Sequence, residues 1–101
     1  MELIRLLKRR KVKEAIKQVK DGESLNESDE NGCTALHYAC SEGLLDFIVA
    51  AALHGVNFEQ KDKDGESALF KAVQYSKLES IVALVAFKSN VNVKNKENGQ
   101  F

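Results

Sequence analysis

Asn31-Gly32-Cys33-Thr34-Ala35-Leu36-His37-Tyr38-Ala39-Cys40-Ser41-Glu42-Gly43 begins as a turn and ends as a helix. Asn31-Gly32 is a tight-turn pair, because both residue types tolerate positive φ. Thr34 stands where a helix N-cap belongs, with its hydroxyl free to accept a backbone N–H. Leu36, Ala39 and Cys40 follow at helical spacing, and Gly43 is placed to stop the helix. The stretch returns 33 residues later as Asp64-Gly65-Glu66-Ser67-Ala68-Leu69-Phe70-Lys71-Ala72-Val73-Gln74-Tyr75-Ser76. Gly32 maps to Gly65, Thr34 to Ser67, Leu36 to Leu69 and Ala39 to Ala72.

The same register runs through most of the chain. Asp29, Asp62 and Asn95 open successive units, while Leu45 pairs with Leu78, Ile48 with Ile81, Val49 with Val82 and Asn57 with Asn90. Running backwards, Gly55 falls on Gly22, Phe58 on Leu25, Leu36 on Leu3 and Leu45 on Val12. A fixed period of this length marks a stacked repeat protein.

These residues resemble the ankyrin repeat. Thr34-Ala35-Leu36-His37 is similar to the family's Thr-Pro-Leu-His, and Ala39 and Gly43 follow in place. Leu45-Asp46-Phe47-Ile48-Val49 resembles the second helix of a repeat, and Gly55-Val56-Asn57-Phe58 its Gly-Ala-Asp-Val. Alanine fills both proline slots (Ala35, Ala68), which affects local stability and not the fold, since proline there only presets φ. Phe70 replaces the family's histidine and Lys88 its glycine, so the second unit is less typical. The resemblance implies an all-α ankyrin-repeat solenoid of stacked antiparallel helix pairs with β-hairpin-like loops. The expected units are a partial capping repeat at 1–28, repeats at 29–61 and 62–94, and the truncated start of another at 95–101.

Periodicity places helices at about Met1–Arg9, Val12–Lys20, Ala35–Glu42, Leu45–Leu53, Ala68–Tyr75 and Leu78–Phe87. Loops run through Leu25–Thr34 and Phe58–Ser67, and Asn90, Val91 and Asn92 are expected to open a third hairpin. One unit cannot fold alone at this length, so each helix pair must bury its apolar face on the next.

Composition narrows the function classes. The chain has 101 residues with 15 basic and 15 acidic side chains and no formal net charge. That is one folded domain, with no charge excess to attract nucleic acid. There is no long apolar run to span a membrane. Leu3, Ile4, Leu6 and Leu7 precede the basic run Lys8–Lys11, the reverse of a secretory signal. Packing against the next unit accounts for the apolar side of that first helix, so no membrane contact is expected. Cys33 and Cys40 share no zinc-type spacing with His37 or His54. Both are expected as free, reduced thiols, Cys40 buried and Cys33 exposed in its turn.

The chemistry expected is slight. No Ser/His/Asp or Cys/His constellation surrounds His37, whose counterpart in the family bonds loop backbone. Asp62-Lys63-Asp64-Gly65-Glu66 resembles part of a calcium loop, but Val73 stands where the twelfth-position glutamate is required. No catalytic residue, metal ligand set or cofactor is therefore expected. Lys8-Arg9-Arg10-Lys11-Val12-Lys13 could be a localisation signal or an anion-binding patch, though a solvated edge of the cap explains it more simply.

The expected function is protein–protein interaction through the concave face and hairpin tips, without catalysis. Position by position, the resemblance implies contacts from Glu30, Asn31, Cys33, Ser41, Glu42, Lys61, Lys63, Asp64, Glu66, Gln74 and Tyr75, with Lys8 and Arg9 extending the strip on the cap. Tyr75 is the chosen anchor, as tyrosine is a frequent hot-spot residue. The expected setting is intracellular, cytoplasmic with the nucleus open to it. Two alternatives stand beside this one. The chain could be the N-terminal piece of a larger enzyme, channel or bacterial effector, or a self-associating structural module. Val73, Ile81, Leu84 and Val85 would form an open apolar face at the last unit, suited to a further repeat or to a homodimer.

Overall fold

A computed structural model describes residues 2–97, with side chains described through residue 88. Six helices lie among the described residues: α1 (Glu2–Lys8), α2 (Val12–Lys20), α3 (Ala35–Glu42), α4 (Leu45–Leu53), α5 (Ala68–Gln74) and α6 (Leu78–Glu97). They form three antiparallel pairs. Inner helices α1, α3 and α5 make one row, and outer helices α2, α4 and α6 make the second. This is the expected all-α solenoid.

Each pair is built by the same local bonds. Thr34 Oγ1 accepts the N–H of His37, and Ser67 Oγ accepts that of Phe70, so α3 and α5 begin on a hydroxyl cap. Each inner helix ends on a left-handed residue: Arg10 (φ 62°), Gly43 (φ 72°) and Ser76 (φ 56°), spaced one repeat apart. The next N–H bonds back at 2.9 Å in all three, Lys11 to Leu6, Leu44 to Ala39 and Lys77 to Ala72. This six-to-one bond of the Schellman type holds the turn even where glycine is missing.

The loops repeat just as closely. Asp29 Oδ1 accepts the N–H groups of Asn31 and Cys33, and Asp62 Oδ1 those of Asp64 and Glu66, all at 2.9–3.0 Å. A hairpin rung closes each loop, from Asp29 N–H to the Cys33 carbonyl and from Asp62 N–H to the Glu66 carbonyl. These short side chains act as turn nuclei by mimicking a backbone acceptor.

The core follows the inner faces of both rows. Leu3, Ile4, Leu7, Val19, Leu36, Ala39, Cys40, Phe47, Ile48, Ala51, Ala72 and Leu84 are buried in one continuous cluster. Leu69 packs at its edge, half-buried, because no further unit stacks on it among the described residues. Ser80 stands where the previous repeat has Phe47, and its buried Oγ finds no partner among the described residues.

Two expectations need correction. Asn90, Val91 and Asn92 do not open a hairpin; they lie within α6, which runs on to Glu97. The helix lacks its stop signal. Gly22 and Gly55 occupy positive φ at the ends of the two earlier outer helices, and Lys88 holds that register in α6. A lysine is costly in the left-handed region, so helical backbone continues. Of the stretch expected to begin another unit, residues 98–101 lie outside the described residues. Leu84, expected on the open outer face, is 1 % exposed and belongs to the core. The buried face of α6, which packs among α4, α5 and α3, runs through Ser80 and Leu84, one helical turn apart.

Candidate functional site: a groove along the inner helices

The inner helices and hairpins enclose an open groove of about 340 Å³. It is lined by Lys8, Asp29, Asn31, Cys33, His37, Tyr38, Ser41, Lys71 and Tyr75. All three helix pairs contribute to it. Lys8 lies in the last turn of α1, Tyr38 and Ser41 lie one turn apart on α3, and Tyr75 caps α5. Tyr75 is 55 % exposed, an amphipathic ring available to a partner.

His37 braces the wall. Its Nε2–H donates to the Glu66 carbonyl at 2.8 Å, joining α3 to the next hairpin. Since a carbonyl can only accept, the proton sits on Nε2, and Nδ1 accepts the Thr34 N–H at 3.1 Å. Reach across 29 residues makes it a fastener between repeats.

A partly buried charge network backs the groove. Lys71 Nζ lies 2.8 Å from Glu66 Oε1 and 3.3 Å from Asp62 Oδ2. The N–H of Glu66, with that of Asp64 and the Lys71 ammonium, holds the Asp62 carboxyl below its usual range despite burial. Lys71 is pushed well above the ordinary lysine value, chiefly by its bond to Glu66. Asp62, Asp64 and Glu66 converge within 4.8 Å, a spacing that could hold a cation. The Lys71 ammonium already sits on two of the three.

Cys33 is half-buried where exposure was expected, because its thiol turns inward to Asp62 Oδ2 at 3.7 Å. Partial burial, then the carboxylates of Asp29 and Asp62, push its pKa up. Burial pushes Cys40 up to about 12. Both are therefore protonated, weakly nucleophilic thiols at neutral pH.

The structure gathers Lys8, Asn31, Cys33, Ser41 and Tyr75 around the groove. Glu30 joins Lys8 in an adjoining hollow, Glu42 in another, and Glu66 is tied to Lys71. Arg9, Lys61, Lys63, Asp64 and Gln74 are exposed but line none of these hollows. Tyr38, Lys71, Asp29 and the edge of His37 line the groove without having been singled out as contacts. Tyr38 and Lys71 share one register position, three residues before Ser41 and Gln74, so the repeat itself marks them. No helix among the described residues is long and apolar enough to cross a membrane.

This fold, with its two rows of paired helices, is that of a stacked repeat protein. A family model described as ankyrin repeats in three copies matches residues 3–97, and the chain belongs to the ankyrin-repeat family. Such repeats are protein–protein interaction modules and are typically non-catalytic. Comparison with curated proteins gives no match. Among solved structures, the chain is similar to one from the complex of the predatory endopeptidase Bd0816 of Bdellovibrio bacteriovorus with the immunity protein Bd3460. Identity is 28 % and the TM-score 0.76, over 84 % of this chain and 45 % of that one. The chain thus spans under half the length of that neighbour.

Proposed function

We propose that this protein binds a protein partner in the groove along its inner helices and has no catalytic activity of its own. The observation that carries this reading is the groove to which all three helix pairs contribute, with exposed Tyr75 at one side and Lys8 at the other. Successive repeats offer an extended surface, and a tyrosine and a cation are suitable anchors on it. The setting is intracellular and cytoplasmic, a reading supported by free thiols at Cys33 and Cys40. Affinity capture with the chain as bait tests it. A partner held by the wild type should be lost with Tyr75→Ala/Lys8→Gln and retained with Leu53→Ser, a change on the exposed outer row. Loss with Leu53→Ser alone would move the site to the other side.

A second reading makes the partner an enzyme that this chain silences. The likeness to a chain from an endopeptidase–immunity protein complex favours it. Its measurement is the activity of the captured partner with and without the chain. An activity unchanged at saturation refutes inhibition and leaves simple binding.

A further inference from the structure

The charged groups around the groove differ in whether the fold already satisfies them. Asp29 Oδ1 accepts two backbone N–H groups. Asp62 and Glu66 share Lys71. Arg10 pairs with Glu42 at 3.2 Å. Lys8 has no carboxylate within ion-pair distance among the described residues, and its Nζ lies 5.8 Å from the centroid of the Tyr38 ring. It is exposed and borders three hollows, of about 340, 170 and 60 Å³. Asp29 lines both the groove and the 170 Å³ hollow, and the hollow adds the Glu30 carboxylate, which would repel an anion. The groove and the smallest hollow both set Lys8 beside Tyr38; Ser41 and Tyr75 line the groove, where the Asp29 carboxylate is already engaged by two backbone N–H groups, and Glu42 in the smallest is engaged by Arg10.

We infer that the partner presents an acidic peptide segment, with an aspartate or glutamate carboxylate accepting from Lys8 Nζ on the Tyr38 side of the groove. The adjoining side chain of that segment packs between Tyr38 and Tyr75. The inference rests on the concave-face reading above and adds the partner's chemistry to it. In water an exposed lysine–carboxylate pair contributes little. Covered by a partner and set against the Tyr38 ring, the same pair is desolvated and becomes selective. The cation is also favoured where it stands, in the last turn of α1, where helix carbonyls leave a partial negative charge.

Amide NMR of the chain, titrated with acetyl-Glu-Tyr-Glu-amide and separately with acetyl-Lys-Tyr-Lys-amide, tests it. The acidic peptide should shift Lys8, Tyr38, Ser41 and Tyr75, and should bind about tenfold more tightly than the basic one. Lys8→Gln should erase that preference, and Lys8→Arg should keep it. Both variants should melt with the wild type, since Lys8 is exposed. Groove shifts that are equal for the two peptides would overturn the acidic inference and leave the concave face standing. Shifts confined to another face would overturn both. No shift with either peptide, or an acidic preference surviving Lys8→Gln, would overturn the inference.

Discussion

Gly32 lies against the backbone of Lys63: a Cβ added to Gly32 would stand 2.8 Å from the Lys63 nitrogen. That nitrogen donates to the Asn31 carbonyl at 3.0 Å, tying one hairpin tip to the next. Gly65 holds the matching place in the following loop, with nothing within 4 Å of its missing Cβ.

Gly32→Ala should therefore cost more than Gly65→Ala. Both variants force alanine to positive φ, at about 1 kcal/mol. Gly32→Ala must also push the hairpins apart. Paired urea melts measure the difference, and equal losses would show that the inter-hairpin bond contributes nothing.

Ser76→Gly should stabilise the fold. Ser76 holds φ 56° in the register where Gly43 holds 72°. Removing its Cβ relieves about 1 kcal/mol of left-handed strain, less what glycine adds to the freedom of the unfolded chain. The melt should rise by a few degrees, on the order of 2–5 °C for a domain this size. Arg10→Gly tests the same relief at the first turn, minus its pair with Glu42.

Acid stability should depend on Asp62. Its folded pKa lies below the ordinary 3.8, so its contribution is complete above that value and is lost as pH falls through the lower folded one. Lys71 is raised, so its contribution holds below the ordinary lysine pKa and fades only as pH rises through the folded value. Asp62→Asn should cost about 1.5–3 kcal/mol near neutrality, because it leaves the Lys71 ammonium short of one carboxylate. The variant should also show a flatter stability curve below the ordinary aspartate pKa. A curve parallel to the wild type would remove Asp62 from the network.

Cys40 and Val73 occupy one register position, yet Cys40 is fully buried and Val73 is 55 % exposed. Phe70 and Val85, at 48 % and 49 %, are exposed with it. These apolar groups should drive self-association of the chain at high concentration through the last unit. Val73→Glu/Val85→Glu should give a monomer by sedimentation with an unchanged melt. Leu84→Glu should instead unfold the protein, since that side chain is core. A wild-type monomer at every concentration would refute the association.

Much of this protein was legible in its sequence. The 33-residue register named the fold, and the spans of α2, α3 and α4 followed from apolar spacing, caps and glycines within one unit. Local signals of that kind act over three or four residues, and a linear reading contains them. The groove was legible where it follows from register, at Lys8, Ser41 and Tyr75, and illegible where it depends on a long-range approach. Lys71 reads as an ordinary solvated helix residue until Asp62 folds back onto it, and Cys33 as an exposed turn residue until that carboxylate arrives. Leu84 and Val85 are neighbours in sequence, both branched aliphatic side chains. Packing of α6 on α4, α5 and α3 buries one and leaves the other exposed, because burial is settled by what stands opposite and not by the residue itself.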